Sequence, residues 1–321
     1  MLAKPQTPEA GRGRGTSPAH SVAVVRTLST LLEGGTFFEG ARWHDGRWWA
    51  SDFYANRVVA VTPDGEASDE LQVEQPSGLG WLPDGSLLAV SMTGHAVWRR
   101  SPDGEVSLHA DLSPYSRGEA NDMVVDGTGR AYVGSYGYDL MAGEEPAEAT
   151  LIRVEPDGTI HAAAEGLQFP NGTVLTPDGG TLIVAETIAA RLTAFSVAGD
   201  GSLSDRRVYA QIAPSPELAP MDTMLPKVGY APDGITLDAE GCVWAGDSLH
   251  RRCARIAPGG EILEEIAAPD DLAIYGCMLG GDDGRTLLMC AAPDWREERP
   301  EGELASVLLT TSVEVPHAGL P

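Results

Sequence analysis

The sequence predicts an all-β fold, a six-bladed β-propeller with four antiparallel strands in each blade. Six times along the chain, a mostly polar residue precedes Gly or Asp and is followed about eight residues later by Gly and a short apolar strand. A further strand then follows and ends at a Gly-containing turn. The repeats start 38, 44, 50, 62 and 42 residues apart, which is typical of propeller blades.

The first strand of every repeat begins at a recognisable pair of residues. The six pairs are Glu39-Gly40, Ser77-Gly78, Asn121-Asp122, Asn171-Gly172, Asp233-Gly234 and Tyr275-Gly276. The step from the first residue of the pair to the following Gly is eight in the middle four repeats, seven in the first and nine in the last. This regular register favours equivalent positions in successive blades over a β-sandwich or a solenoid.

The second and third strands of each blade are rich in β-branched, aromatic and aliphatic residues. The predicted second strands are 48–50, 87–90, 131–133, 182–184, 243–245 and 287–289, and the third strands are 58–61, 96–98, 151–154, 192–195 and 254–256. Turns such as Pro63-Asp64-Gly65 follow, in which Pro presets the first dihedral and Gly accepts a positive φ. Short runs over 106–108 and 262–264 supply fourth strands.

The last repeat is short after Asp294, so closure of the ring needs a strand from the other end of the chain. Residues 306–310 give one strand, and we expect the run Val22-Ala23-Val24-Val25 to give the outer one. The sequence thus predicts a single propeller domain over residues 22–321. Residues 1–21 contain Pro, Gly and basic residues without the apolar segment of a secretion signal, which predicts a flexible tail.

Composition restricts the class of partner. Against 22 Lys and Arg the chain has 47 Asp and Glu, a formal net charge of −25, which disfavours nucleic acid and is compatible with a cation. No run approaches the roughly 20 apolar residues of a membrane span, so no membrane partner is expected. Four cysteines without a CxxC pair indicate free thiols in the cytoplasm, with a disulfide as the alternative in an exported protein. Protein partners stay unassigned.

Four of the six pairs carry oxygen side chains suited to a metal ion. Glu39, Asn121, Asn171 and Asp233 begin first strands, which line the channel of a propeller and start at one face, so we expect one axial pocket. Two carboxylates and two amide oxygens form a hard, anionic set that suits Ca²⁺, with Mg²⁺, Mn²⁺ or Zn²⁺ as alternatives. An Asn or Asp beside Gly is also a common turn residue, but Glu has no such preference.

The ordered set of motifs resembles the SMP-30/gluconolactonase/LRE-like family, also called regucalcin-like lactonases, from about residue 30 to 300. The matching elements are Glu39-Gly40-Ala41-Arg42-Trp43, Asn121-Asp122, Pro170-Asn171-Gly172 and Pro232-Asp233-Gly234. The resemblance implies that Glu39, Asn171 and Asp233 ligate one divalent cation. It also implies that Asn121 contacts the substrate or a metal-bound water, and that Asp233 is the general base.

The activity that the resemblance implies is hydrolysis of a cyclic ester of a small molecule. A divalent ion would polarise the lactone carbonyl, and Asp233 would take a proton from the attacking water. The sequence lacks the G-x-S-x-G elbow of many serine hydrolases. A propeller that binds a metal or a small ligand without hydrolysis, or that carries another chemistry on the same site, is the alternative, and an interaction scaffold is a third.

Glu119 departs from the pattern of this family. Sugar lactonases that the chain resembles often place an Arg two residues before the position of Asn121, where it binds substrate hydroxyls. A carboxylate reverses the charge and disfavours a gluconolactone-like or acidic sugar. We therefore expect Glu119 and Asn121 to contact the substrate, with Arg117 as a nearby substitute for the missing Arg.

Two further sets of residues are expected near the pocket. The connection over residues 211–232 carries apolar side chains, among them Met221 and Leu225, and predicts either a lid over the metal face or a packed surface loop. The second strands end at polar residues that are expected to contribute to the pocket or to lie in solvated loops. These residues are Asp52, Ser91, Ser135, Glu186 and Asp247.

Overall fold

The structure is a computed structural model that describes residues 26–140, 142–296 and 303–319. Its strands form six four-stranded antiparallel sheets, and the first strands of these sheets contact one another around a ring. This arrangement confirms the predicted six-bladed β-propeller. Among the described residues, no helix is both long enough and apolar enough to cross a membrane.

The first five blades are each built from four consecutive strands, and β1 (Ser29–Gly35) precedes them. Blade one contains β2 (Phe38–His44), β3 (Arg47–Asp52), β4 (Arg57–Val61) and β5 (Ala67–Gln72). Blade two contains β6 (Pro76–Trp81), β7 (Leu87–Ser91), β8 (Ala96–Arg100) and β9 (Val106–Asp111). Blade three contains β10 (Ala120–Val125), β11 (Ala131–Ser135), β12 (Ala149–Val154) and β13 (Ile160–Leu167).

The fourth and fifth blades have the same order, with an additional helical turn in the connection between them. Blade four contains β14 (Pro170–Leu175), β15 (Thr181–Glu186), β16 (Arg191–Val197) and β17 (Leu203–Gln211). Blade five contains β18 (Pro232–Leu237), β19 (Val243–Asp247), β20 (Arg252–Ile256) and β21 (Ile262–Ala267). The connection contains α1 (Met221–Met224) and a 3₁₀ turn (Leu225–Lys227).

Blade six closes the ring with strands from both ends of the chain. It contains β22 (Leu272–Gly280), β23 (Thr286–Pro293) and β24 (Ser306–Ser312), with β1 as its outer strand. Ser29 pairs with Thr310, and Gly35 pairs with Ser306. Closure by an N-terminal strand is therefore confirmed, but the expected strand was wrong. Val22–Val25 and the predicted tail over residues 1–21 lie outside the described residues.

The choice of β1 follows from chain geometry and packing. Only two residues separate the end of β1 from the start of β2, so the chain passes directly from the last blade into the first. Leu31 and Leu32 of β1 pack against the buried cluster that contains Phe38, Met278 and Leu308. The closing strand thus joins blade six to blade one through a shared apolar core.

The glycines that follow the first-strand head residues are required by the close approach of neighbouring inner strands. A Cβ atom at Gly172 would lie 2.6 Å from the amide nitrogen of Ile235, and one at Gly78 would lie 2.7 Å from the carbonyl carbon of Asp122. Real Cβ atoms do not approach backbone so closely, so only Gly fits. Gly therefore recurs in the sequence because the inner strands pack closely around the channel.

Three buried carboxylates at the ends of second strands fix the connections between blades. Asp52 accepts hydrogen bonds from the backbone N–H groups of Thr36 (2.9 Å) and Phe37 (3.1 Å) and from Arg57 Nη2 (2.9 Å). Glu186 and Asp247 make the same type of contact, each with a backbone N–H and with the Arg five residues later.

The expectations for the second-strand ends were therefore wrong. Asp52, Ser91, Ser135, Glu186 and Asp247 are buried, so they are not solvated loop residues, and they do not line the axial cavity. Ser91 and Ser135 donate to backbone carbonyls, those of Glu74 (2.7 Å) and Thr150 (3.4 Å). The physical reason is that backbone N–H and C=O groups at the blade junctions need partners, and these side chains supply them.

Four cysteines are buried and free, as the sequence indicated. Most of the apolar core lies between neighbouring blades, where second and third strands of two sheets face each other. One cluster of this kind joins blades four and five through Ile183, Leu192, Ile235, Val243 and Ile256. The blades thereby hold the inner strands, and the head residues that these strands carry, in fixed positions.

Candidate active site

An axial cavity of about 550 Å³ brings together the four head residues named from the sequence. Glu39, Asn121, Asn171 and Asp233 all line it, although they come from blades one, three, four and five. They meet because each stands at or near the start of the inner strand of its blade. Equivalent positions in a ring of repeats converge on the axis.

Glu39 and Asp233 are two recessed carboxyl groups whose accessible surface faces this cavity. Burial, together with the charge of Asp122, raises the pKa of Asp233 to about 8, although the nearby polar side chains of Ser248 and Asn171 act in the opposite direction. Burial and the charge of Asp233 raise the pKa of Glu39 well above its usual range. Within the described residues neither carboxylate has a cationic partner, and Glu39 Oε1 is buried without a hydrogen bond.

The two amide side chains present different atoms to the cavity. Asn171 donates through Nδ2 to Thr187 Oγ1 (3.3 Å), which leaves its Oδ1 available as a ligand atom. Asn121 accepts from Ser77 Oγ at its Oδ1 (3.5 Å), and its Nδ2 is buried without a partner. With this amide orientation, Asn171 suits a cation and Asn121 suits an acceptor atom of a substrate.

Arg42 forms a buried ion pair with Asp122, and neither residue lines the axial cavity. Its Nη2 donates to Asp122 Oδ1 (2.7 Å) and to the carbonyl of Met123, and its other nitrogens donate to the carbonyls of Ala41 (2.7 Å) and Leu79 (3.2 Å). Arg42 belongs to a motif named from the sequence, but it was assigned no role there. A charged residue between Ala41 and Trp43 in an inner strand was the signal that it needed a buried partner.

This donor set fits a hard divalent cation. Glu39 and Asp233 are two recessed carboxylates, Asn171 adds an amide oxygen, and the described residues that line the cavity include no Lys, Arg or His. No cluster of three or more His, Cys, Asp or Glu side chains that could hold a metal occurs among the described residues. An ion here would therefore take part of its coordination from neutral oxygens, as Ca²⁺ and Mg²⁺ do.

Glu119 lines the same cavity, whereas Arg117 does not. Glu119 is only 8% exposed, and burial raises its pKa above the usual value. Its Oε2 is buried without a partner. Arg117 is exposed on the connection between β9 and β10 and is absent from the cavity lining. The structure thus does not bring this Arg to the position of the missing family residue.

Aromatic and aliphatic side chains form most of the remaining cavity wall. They are Phe37, Phe53, Tyr54, Met92, Tyr136, Tyr138, Leu140, Phe169, Ile188, Met221, Leu225, Leu249, Tyr275 and Trp295. The rings of Tyr136 and Phe169 stack with centroids 4.1 Å apart, and those of Phe37 and Tyr275 lie 4.5 Å apart. Met221, Leu225 and Tyr275 were named from the sequence. The others were not, because most of them lie in connections whose course a repeat pattern does not describe.

The connection over residues 211–232 supplies part of this wall as a packed segment. Met221 and Leu225 line the cavity, while Met224 is fully buried against Tyr138 and Ile188. Further along, the hydroxyl of Tyr230 donates to the carbonyl of Ala245 (2.8 Å). Both expectations for this connection therefore hold in part, since it is packed and also faces the cavity with apolar side chains.

The fold and these motifs define a propeller of the SMP-30 class. The chain belongs to the SMP-30/gluconolactonase/LRE-like family, whose sequence model matches residues 37–293. It is 24% identical to 6-deoxy-6-sulfogluconolactonase of Pseudomonas putida over 85% of this chain and 89% of that protein. It is 27% identical to pentonolactonase of Haloferax volcanii over 81% of this chain and 87% of that protein.

Solved structures share the fold at lower identity. The calcium-binding protein regucalcin of Agrobacterium tumefaciens superposes with a TM-score of 0.72 at 18% identity, over 91% of this chain and 95% of that one. A shorter match relates the chain to virginiamycin B lyase of Nocardia farcinica, 30% identical over 42% of this chain and 44% of that protein. The proteins that this chain resembles are thus named for two kinds of reaction, that of a lactonase and that of a lyase.

Proposed function

We propose that the protein is a divalent-metal-dependent lactonase that opens a small cyclic ester in the axial cavity. Glu39, Asn171 and Asp233 would hold the ion, which we take to be Ca²⁺, with Mg²⁺, Mn²⁺ or Zn²⁺ as alternatives. The observation that carries this proposal is a pair of recessed carboxylates without a cationic partner among the described residues. The relatives named as lactonases over most of the chain support the reaction type.

The charges at the site favour a dication in particular. The charge of Asp233 is one reason why the pKa of Glu39 is raised, and the charge of Asp122 helps to raise the pKa of Asp233. A bound dication would cancel both charges and keep Glu39 and Asp233 ionised at neutral pH. Asp233 would then be unprotonated, as a general base must be.

The chain's own residues supply the remaining parts of a hydrolysis. When bound, the ion would polarise the lactone carbonyl. Asp233 accepts a proton from the attacking water, and the free N–H of Asn121 donates to the oxygen on which negative charge develops. Glu119 contacts the body of the substrate. The apolar wall keeps other water away from the reacting ester.

Metal add-back to chelated protein tests the proposal. Hydrolysis of aldonolactones, aliphatic γ- and δ-lactones and dihydrocoumarin is measured with Ca²⁺, Mg²⁺, Mn²⁺ or Zn²⁺ restored. We expect turnover only with metal, and we expect Asp233→Asn to lose both turnover and metal affinity. Asp64→Asn, in an exposed turn, is the matched control and should keep both. An Asp233→Asn protein with unchanged metal affinity and turnover would refute the site.

A ring opening that does not use water is the second candidate, because the chain also matches a virginiamycin B lyase in part. Product analysis in ¹⁸O-labelled water separates the two reactions. Hydrolysis places one solvent oxygen in the product, whereas elimination forms a carbon–carbon double bond and adds none. We expect one labelled oxygen, and an unlabelled, unsaturated product would favour a lyase.

We further propose a cytoplasmic location and a small-molecule substrate as the principal partner. Four buried free cysteines fit a reducing compartment. The cavity volume and its mostly apolar wall fit a compact organic ligand. Fractionation of the native host, with the protein detected by antibody, tests the location, and recovery outside the cytoplasm would contradict it.

A further inference from the structure

We infer that Glu119 and the adjoining aromatic wall select a largely apolar lactone that carries a hydrogen-bond donor, a hydroxyl or a protonated amine, and that they reject an anionic lactone. This inference rests on the proposed function and defines the substrate class for the same cavity. Glu119, which stands where an Arg is expected in sugar lactonases, would thus determine which lactones bind.

Glu119 has an unsatisfied buried oxygen. Its Oε2 atom is buried and has no partner, in a residue that is more than nine-tenths buried and lines the cavity. A buried acceptor without a donor is unfavourable, so a ligand that brings an N–H or O–H to Oε2 gains a strong hydrogen bond.

The charge of the cavity wall also disfavours an anionic substrate. A divalent ion at Glu39 and Asp233 would leave Glu119 and Asp139 as uncompensated acidic groups on the wall. Lys, Arg and His are missing from the part of the lining that the structure describes. The net field therefore repels a carboxylate, sulfonate or phosphate on the substrate.

An aromatic surface lies beside the Glu119 carboxylate. The backbone N–H of Tyr136 donates to the carbonyl of Glu119 (2.9 Å), and the Tyr136 ring stacks on Phe169. The ring of Tyr138 also contacts Phe169, with centroids 6.3 Å apart. This wall suits an aromatic or alicyclic frame, and the faces of its rings also attract a cation. A polyhydroxylated ring would need more polar partners than the wall offers.

Binding of inert analogues tests the inference. The probes are 3,4-dihydroquinolin-2-ones, lactams with the shape of dihydrocoumarin, that carry hydrogen, hydroxymethyl, aminomethyl or carboxylate at each benzo position. Calorimetry on the Ca²⁺-loaded protein compares the best isomer of each. We expect the hydroxymethyl and aminomethyl compounds to bind about 10- to 100-fold more tightly than the unsubstituted one, and the carboxylate to bind more weakly.

Variants assign the preference to Glu119. Glu119→Gln keeps the size of the side chain and should remove most of the preference for the aminomethyl compound, while Glu119→Arg should reverse the order in favour of the carboxylate. Glu66→Gln, at an exposed turn, is the control and should match the wild type. Circular dichroism and Ca²⁺ affinity check that each variant is folded.

The two proposals fail in different ways. If the carboxylate binds best to the wild type, if Glu119→Gln changes no preference, or if no analogue binds, the inference about Glu119 is overturned. Metal-dependent hydrolysis of plain dihydrocoumarin would still support the lactonase proposal in each of these cases. Conversely, selective binding without hydrolysis of any lactone would support the role of Glu119 and refute the proposed reaction.

Discussion

Replacing Arg42 with Met should destabilise the propeller strongly. Arg42 and Asp122 are 7% and 4% exposed, and their side chains meet at 2.7 Å. Removing one partner of a buried pair leaves the other charge without compensation, at a cost of about 3–5 kcal/mol. The carboxylates of Glu39 and Asp233 lie close enough to Asp122 for its charge to raise their pKa values, so the remaining negative charge would be further disfavoured.

A second substitution separates charge from packing. In the double variant Arg42→Met/Asp122→Asn, the charge left behind is removed, and we expect recovery of about 1–3 kcal/mol relative to the single variant. The hydrogen bonds from Arg42 to the carbonyls of Ala41, Leu79 and Met123 stay lost in both variants. The double variant should therefore remain less stable than the wild type.

Urea denaturation of chelated protein, followed by tryptophan fluorescence, measures these differences. Arg47→Met is the control, because Arg47 lies on the neighbouring strand and its ion pair with Glu70 is only partly buried. It should cost about 1 kcal/mol or less. If Arg42→Met costs no more than Arg47→Met, or if Asp122→Asn gives no recovery, the buried pair does not have the assigned role.

Three further predictions concern stability. Burial raises the pKa of Glu186, but hydrogen bonds from Arg191 and Thr193 outweigh burial and keep this pKa below its usual value. The group therefore stabilises the fold above its unfolded pKa and loses this effect as pH falls through its folded pKa. Glu186→Gln should cost about 1.5–3 kcal/mol near neutral pH and less near pH 3, measured by denaturation across pH. Gly172→Ala should cost at least about 1–3 kcal/mol by the same assay, because its Cβ meets backbone. Saturating Ca²⁺ should raise the thermal midpoint of the wild type but not of Asp233→Asn, and an equal rise in both would contradict the metal site.

The architecture could be predicted because the repeat unit is encoded locally. Gly78 and Gly172 are required by strand approach at the channel, and turns such as Pro63-Asp64-Gly65 are required by dihedral angles. The same steric requirements recur in most blades, so Gly and turn residues recur at regular intervals in the sequence. The convergence of Glu39, Asn121, Asn171 and Asp233 then follows from the ring alone.

The contacts that could not be predicted depend on distant partners. Arg42 binds Asp122 across 80 positions, and the pattern of neither strand specifies the other. The ion pairs of Asp52, Glu186 and Asp247 could have been inferred from the sequence, because an Arg follows each of these carboxylates by five residues. The closing strand was misassigned because Val22–Val25 has the stronger β-propensity, whereas chain connectivity selects β1.

Ring closure has a consequence for the nascent chain on the ribosome. Ser29 and Thr310 are hydrogen-bonded neighbours, yet 281 positions separate them. At a synthesis rate of about 5–20 residues per second, β1 waits on the order of 15 to 60 seconds for β24 to emerge. During that interval it is a strand with no partner, and such strands pair with other chains unless their sequence discourages it. β1 contains the charged residue Glu33 followed by Gly34 and Gly35, which lowers its tendency to pair with other chains. A run of valines in its place would be a greater aggregation hazard.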